Sequence, residues 1–273
     1  MNKLFHRQYL LWGLLILFLV IVLVFTCLST TKDKFRLLEN DIRYKVPPIY
    51  CINLASETKR REHIQDVFGS YVEFVEAIDT RDDKWKEYSH YLSEDGIHQM
   101  RRSELTKTRQ KHYELTPGAI GCFLSHIKCW NKFLDTYPND GDFVFILEDD
   151  TMPAVTFHKT FANVANAFPP ECDLLLCDHL AFGDMEQVEH HGVEYRKLLP
   201  HSAFYLLNAY FITARGIKKI LHYLFKNDNK FHKQLDSYLS DLSKEEVITV
   251  YTLKDNECFQ IGISPTSIQT FTI

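Results

Sequence analysis

Residues 143–150 read Phe-Val-Phe-Ile-Leu-Glu-Asp-Asp. The run Phe143 to Leu147 is continuously apolar, which describes a short strand covered on both faces, as in a parallel sheet flanked by helices. Three carboxylates follow at once: Glu148, Asp149 and Asp150. Adjacent carboxylates repel, and they are most readily tolerated together where water or a bound cation compensates. In open α/β sheets ligands bind beyond the carboxyl ends of the strands. Hard oxygen donors at such an end suit Mg²⁺ or Mn²⁺ held together with substrate phosphates. A solvated acidic turn is the other reading of the same triplet.

Working outward, Thr116-Pro117 supplies a cap and a first-turn proline for a helix through Leu134, with Ile120, Leu124, Ile127 and Leu134 at helical spacing. Further upstream, Ile49 to Leu54 reads as a buried strand, and Ser56-Glu57-Thr58 as the cap of a basic helix that carries Arg60, Arg61 and His63. A second strand is expected over Val72–Ala77, closing at Asp79. Downstream, Leu174 to Cys177 and Ala209 to Thr213 read as strands, and Arg215 to Phe225 as a helix with Ile217, Ile220, Leu221 and Leu224 on one face. Strands alternating with helices predict an α/β fold with a largely parallel sheet. The stretch Arg81–His112 is highly charged and shows little periodicity. Its basic cluster (Arg101, Arg102, Lys107, Arg109, Lys111) predicts a solvated, mobile loop.

At 273 residues the chain is long enough for one substantial domain or two fused lobes, and a net charge of −5 gives no general attraction to nucleic acid. Leu10 to Leu28 runs LLWGLLILFLVIVLVFTCL without a charge, about the length that crosses a hydrocarbon core as a helix. The sequence therefore divides into a tail (1–9), a transmembrane anchor (10–28), a polar stem (29–48) and a globular domain (49–273). Cys27-Leu28-Ser29 is a poor cleavage site, which favours an uncleaved anchor over a signal peptide. Basic residues flank the apolar run almost evenly, so charge does not orient it. Six of the seven cysteines lie beyond that run. Cys51 and Cys122 sit in apolar stretches, where a buried thiol is the ordinary reading.

Several familiar sites are missing. There is no Gly-x-Gly-x-x-Gly turn and no phosphate-binding loop ending in Gly-Lys-Ser/Thr. Cys172, Cys177, His179, His190 and His191 lack the paired spacing of a zinc site. Ser125 and His126 are neighbours on one helix, so their side chains diverge and do not form a hydrolase pair. His126 is either a packed helix residue or a substrate contact.

Four segments, in order, resemble glycosyltransferase family 25, the family of lipopolysaccharide and collagen galactosyltransferases. They are Ile52-Asn53-Leu54-Ala55-Ser56 with Lys59-Arg60-Arg61-Glu62-His63-Ile64, then Gly118 to His126, then Ile146 to Asp150, then Asn208 to Gly216 followed by Gln234-Leu235-Asp236. The resemblance covers most of Pro48–Ile273. It departs from the family pattern at Asn208, where many members carry a small residue, and over Arg81–His112.

The resemblance implies a GT-A-type nucleotide-sugar-binding fold with a largely parallel mixed sheet, and inverting transfer of a hexose, galactose in particular, from a UDP-sugar to a hydroxyl on a glycan or protein side chain. It places a divalent-metal motif at the acidic triplet, with Mn²⁺ or Mg²⁺ on Asp150 and with Glu148 toward the ribose or a metal-bound water. Asn53, Arg61, Asp79, Ser125, His126 and Asp149 are expected around the donor, Arg61 because a guanidinium suits phosphate oxygens. Asp236 is expected as the base on the acceptor side. The resemblance also implies a single-pass type II protein of the Golgi or endoplasmic reticulum in a eukaryote, and inner-membrane association otherwise. A catalytically silent carbohydrate-binding or adhesion protein on the same scaffold is the alternative.

Overall fold

The computed structural model describes Phe18 and residues 46–260. A first β-α-β unit is built from β1 (Ile49–Asn53), α1 (Thr58–Phe68) and β2 (Val72–Glu76). After a 3₁₀ stretch at Asp82–Tyr91 come α2 (Glu94–Thr106) and α3 (Pro117–Thr136). Thr116 caps α3 by accepting the Ala119 N–H at 3.1 Å, as the Thr-Pro signal predicts.

The acidic strand is β3 (Phe143–Glu148), followed by β4 (Thr151–Pro153), α4 (Phe157–Asn166) and β5 (Leu174–Leu176). An excursion follows, made of β6 (Leu180–Phe182), the hairpin β7 (Met185–His190) and β8 (Val193–Leu198), and β9 (Ala203–Tyr205). The chain then returns as β10 (Ala209–Thr213), α5 (Ala214–Lys226), α6 (Leu235–Lys244), β11 (Val250–Leu253) and β12 (Cys258–Gln260).

Eight strands form one sheet in the order β2-β1-β3-β10-β5-β11-β8-β7. Its faces bury separate cores. Ile52, Ile146, Leu176, Tyr210 and Ile212 face α3 and α5, while Ile49, Phe145, Leu147, Leu175 and Phe211 face α1 and α4. Burial on both faces is what the unbroken apolar runs of β3 and β10 require.

Three expectations need correction. The sheet is mixed, as expected, but not largely parallel: β1 pairs in parallel with β2 and β3, whereas β10 runs antiparallel to both β3 and β5. The excursion from β5 leaves and returns at the same edge, where the Cys177 N–H donates to the Ala209 carbonyl at 3.0 Å, so β10 must run back down the sheet. Second, Arg81–His112 is not a solvated loop. Trp85, Leu92 and Met100 are buried in it, Ser93 caps α2 through the Gly96 N–H at 3.2 Å, and Arg102 pairs with Glu114 at 2.6 Å. A few buried residues spaced across a short 3₁₀ segment and one helix leave no sustained period to read.

Third, the transmembrane part of the expected fold is not borne out. No helix among the described residues is long and apolar enough to cross a membrane, and Leu10–Leu28 lies, apart from Phe18, outside them. The expected single-pass placement in Golgi, endoplasmic reticulum or inner membrane is corrected on the same finding, since the described structure offers no span to carry it.

Candidate functional site

The carboxyl end of β3 and the amino end of β10 meet at one edge of the sheet, where the Glu148 N–H donates to the Asn208 carbonyl at 2.8 Å. Two clefts open there. The first, about 610 Å³, lies between the acidic triplet, the loop after β2 and the start of α3. The second, about 660 Å³, lies between Asn208, Gln234 and Asp236. Cys122 and Glu148 line both and form the partition between them.

In the first cleft the three carboxylates have different surroundings. Asp149 accepts from Asn53 Nδ2 at 2.8 Å and from Arg60 Nη1 at 2.9 Å. Burial raises its pKa above the ordinary carboxylate value, and these two donors oppose the rise. Asp150 is 6% exposed; its Oδ2 accepts from Gln260 Nε2 at 3.0 Å and lies 3.6 Å from Arg60 Nη1. Its Oδ1 has no hydrogen-bond partner among the described residues. Burial, then the charge of Glu148, pushes the Asp150 carboxyl up to about 6. A buried carboxylate oxygen without a donor is costly unless something binds it. Asp150 and Glu148 are the hard oxygen donors here that could hold a divalent cation, directly or through water.

Glu148 Oε1 lies 3.4 Å from His126 Nε2 and 3.5 Å from Cys122 Sγ, both from α3. Ser125 points elsewhere, as adjacent helix positions must: its Oγ accepts the Ile78 N–H at 2.8 Å and donates to the Gly121 carbonyl at 2.6 Å. That bond draws α3 against the loop after β2, and only glycine fits at 121, because a Cβ there would sit 2.3 Å from the Ile78 carbonyl oxygen. Asp79 is held by Arg81 at 2.8 Å and Lys84 at 2.8 Å, chiefly Arg81, and these keep it well below the usual carboxylate range.

Asp236 opens α6 in the second cleft. Its Oδ1 accepts the Ser237 N–H at 2.6 Å and its Oδ2 the Leu206 N–H at 3.4 Å, while burial raises it above the ordinary value.

The structure thus gathers Asn53, Asp79, Ser125, His126, Glu148, Asp149 and Asp150 around one cleft and sets Asp236 across the partition. It does not bring in Arg61, which is exposed and stacks on Phe74 with its guanidinium carbon 4.0 Å from the ring centroid. The arginine of α1 that lines the cleft is Arg60, and Arg81 joins it from the loop after β2. A signal for this was present: Arg60, Ile64 and Phe68 share the buried stripe of α1 at four-residue spacing, and the next residue is turned about 100° away. Gln260 left no such signal, because it reaches Asp150 only through the pairing of β12 with β4. The histidines and cysteines set aside as a zinc reading form no close ligand group among the described residues, whereas Cys122, His126 and Glu148 do.

A mixed α/β sheet thus sets an acidic strand end between two adjoining clefts. The chain belongs to glycosyltransferase family 25 (LPS biosynthesis protein), whose profile matches residues 46–237. It is similar to a Haemophilus influenzae protein provisionally named a glycosyltransferase, 33% identical over 37% of this chain and 31% of the relative. A glycosyltransferase 25 family member of Aedes aegypti is 30% identical over 46% of this chain and 21% of its own length. The Haemophilus influenzae lipooligosaccharide biosynthesis protein lic2B is 28% identical over 42% and 37% respectively. The aligned region spans well under half the length of each of these relatives.

Proposed function

We propose that this chain transfers a hexose, galactose in particular, from a UDP-sugar to a hydroxyl of a glycan or protein side chain, with inversion and with Mn²⁺ or Mg²⁺. The observation that carries the reading is the buried Asp150 carboxylate in the first cleft, with one oxygen unpartnered among the described residues. The donor occupies the first cleft and the acceptor the second. Asp150 would hold the cation directly, with Glu148 toward the ribose or a metal-bound water, and a divalent cation there would supply positive charge to the departing diphosphate. Arg60 already neutralises Asp149, so the triplet does not carry its full charge against the phosphates. Asn53 is fixed by its amide to Asp149 and offers the nucleotide a buried Oδ1 that has no other partner among the described residues.

Asp236 accepts the acceptor hydroxyl's proton as that oxygen bonds to the anomeric carbon and the bond to the diphosphate breaks. The rise that burial gives its carboxyl makes it a stronger base. The name of lic2B, a lipooligosaccharide biosynthesis protein, supports a saccharide acceptor.

The test is thermal melting of the purified chain with UDP, with and without Mn²⁺, followed by a donor panel scored by released UDP. A melting shift that requires both ligands, and release with UDP-galactose, is expected. A shift with UDP alone that survives exhaustive chelation overturns the metal part. No UDP release from any sugar donor with glycan or hydroxylated-peptide acceptors overturns the transfer.

A further inference from the structure

Trp130, Tyr210, His126 and Glu148 form a single file of polar contacts from the core to the partition between the clefts. Trp130 Nε1 lies 3.0 Å from the Tyr210 hydroxyl, that hydroxyl 2.7 Å from His126 Nδ1, and His126 Nε2 3.4 Å from Glu148 Oε1. The first three side chains are fully buried, whereas Glu148 is 17% exposed to the clefts.

The file can run in one direction only. An indole N–H donates and never accepts, so the Tyr210 oxygen must be the acceptor from Trp130. Tyr210 has one proton of its own, and His126 Nδ1 is the acceptor in reach of it among the described residues. Leaving that buried proton unpaired would cost about 1–3 kcal/mol. The Tyr210 proton therefore goes to the Nδ1 lone pair, which places the imidazole proton on Nε2, facing Glu148 Oε1. Cys122, one turn earlier on α3, donates its thiol proton to the same oxygen at 3.5 Å. Glu148 Oε2 has no hydrogen-bond partner among the described residues.

We infer that His126 is a positioning residue, locked in the Nε2–H tautomer by Trp130 and Tyr210, which pins one Glu148 oxygen and presents the other to a hydrogen-bond donor of the bound ligand. That donor is a ribose hydroxyl or a metal-bound water, an assignment that rests on the proposed function; the tautomer does not. His126 contributes no proton to the reaction, since both ring nitrogens are committed inside the fold. Two substitutions separate placement from packing. Glutamine at 126 keeps an N–H near the Nε2 position, whereas the shorter asparagine keeps a group near Nδ1 but does not reach Glu148.

The experiment is ¹⁵N NMR of the full chain labelled at histidine, with His126 assigned from its missing signal in His126→Asn. A protonated Nε2 and a bare Nδ1 are expected, and Tyr210→Phe should bring in the Nδ1–H form. A proton on Nδ1 in the parent chain overturns the inference. Binding of Mn²⁺ alone, and of UDP with Mn²⁺, is then measured by calorimetry. His126→Asn should bind about 10-fold more weakly or worse, as outer-shell partners of a ligand group do, and His126→Gln should stay close to the parent. Weakening already present with Mn²⁺ alone identifies the metal-bound water, and weakening confined to UDP the ribose hydroxyl. Equal behaviour of the two variants overturns the positioning role. Failure of the parent chain to bind either probe would count against the proposed function, and the tautomer would still decide the chain of bonds.

Discussion

The two clefts share a wall and differ in how their charges are met. In the first, Asp149 has Arg60, and Asp79 has Arg81 and Lys84, each within 2.9 Å. In the second, Asp236 accepts backbone N–H groups, its neighbours Asn208, Gln234 and Gln260 are neutral, and the one other carboxylate in the lining is Glu148 of the partition. A cleft in which Asp149 and Asp79 are already paired with cations repels an anionic ligand less, leaving Asp150 and Glu148 as its open carboxylates. A carboxylate held by amides, without a cation, keeps its affinity for a proton. The difference separates a place for phosphates from a place for a hydroxyl, and each assignment breaks at a different residue.

The largest effect is expected in the second cleft. Asp236→Asn removes the proton acceptor and keeps one of the two backbone N–H contacts, since an amide has a single oxygen, so turnover should fall by roughly 1,000-fold, within the range for lost general bases. Near-normal kcat in a folded variant, compared by steady-state UDP release, would show that the base lies elsewhere. In the first cleft, Asp150→Asn preserves size and removes the charge of the unpartnered oxygen. Turnover should drop by about 100-fold or more, as for other lost electrostatic stabilisers, with melting nearly unchanged. Full activity in this variant would reduce the triplet to an acidic turn.

Smaller effects test the pairing itself. Arg60→Lys keeps a cation but not the reach of a guanidinium to both Asp149 and Asp150. It should cost about 1.5 kcal/mol in denaturant unfolding, the scale of one hydrogen bond to a charged group, whereas Arg61→Lys should leave stability unchanged. Equal losses would mean that burial does not distinguish the two arginines. The least effect belongs to Asp79, whose partners Arg81 and Lys84 are partly exposed. Asp79→Asn should cost under about 1 kcal/mol at neutral pH. The sign follows from its lowered pKa: the contribution is present above the ordinary value of 3.8 and is lost as pH falls through the still lower folded value. The gap between variant and parent should therefore close in acid, and a gap that widened would falsify the ion-pair account.

Short-range patterns determined much of the scaffold. The apolar run before Glu148 became β3, Ala209–Thr213 became β10 with the expected ends, and Thr116-Pro117 opened α3. These features depend on side-chain periodicity and local capping, which the sequence carries in full. The acidic triplet was legible as a cluster for the same reason, but its internal division was not. Which carboxylate is paired, which is left with an open oxygen, and which is pinned by His126 depends on α1, β12 and α3 arriving from positions far apart in the chain.

Tertiary structure alone decided three further matters. It chose Arg60 over Arg61, because one helical position separates the buried stripe from solvent. It ran β10 antiparallel, because the excursion from Leu180 to Tyr205 returns to the edge it left, and strand direction depends on where a connection ends rather than on the strand's own residues. It also set Asp236 across a partition from Asp150. The physical reason is common to all three: propensity and pattern act over a few residues, whereas a site is made by contacts whose partners are tens of residues apart, and only the packed sheet brings them within hydrogen-bonding reach.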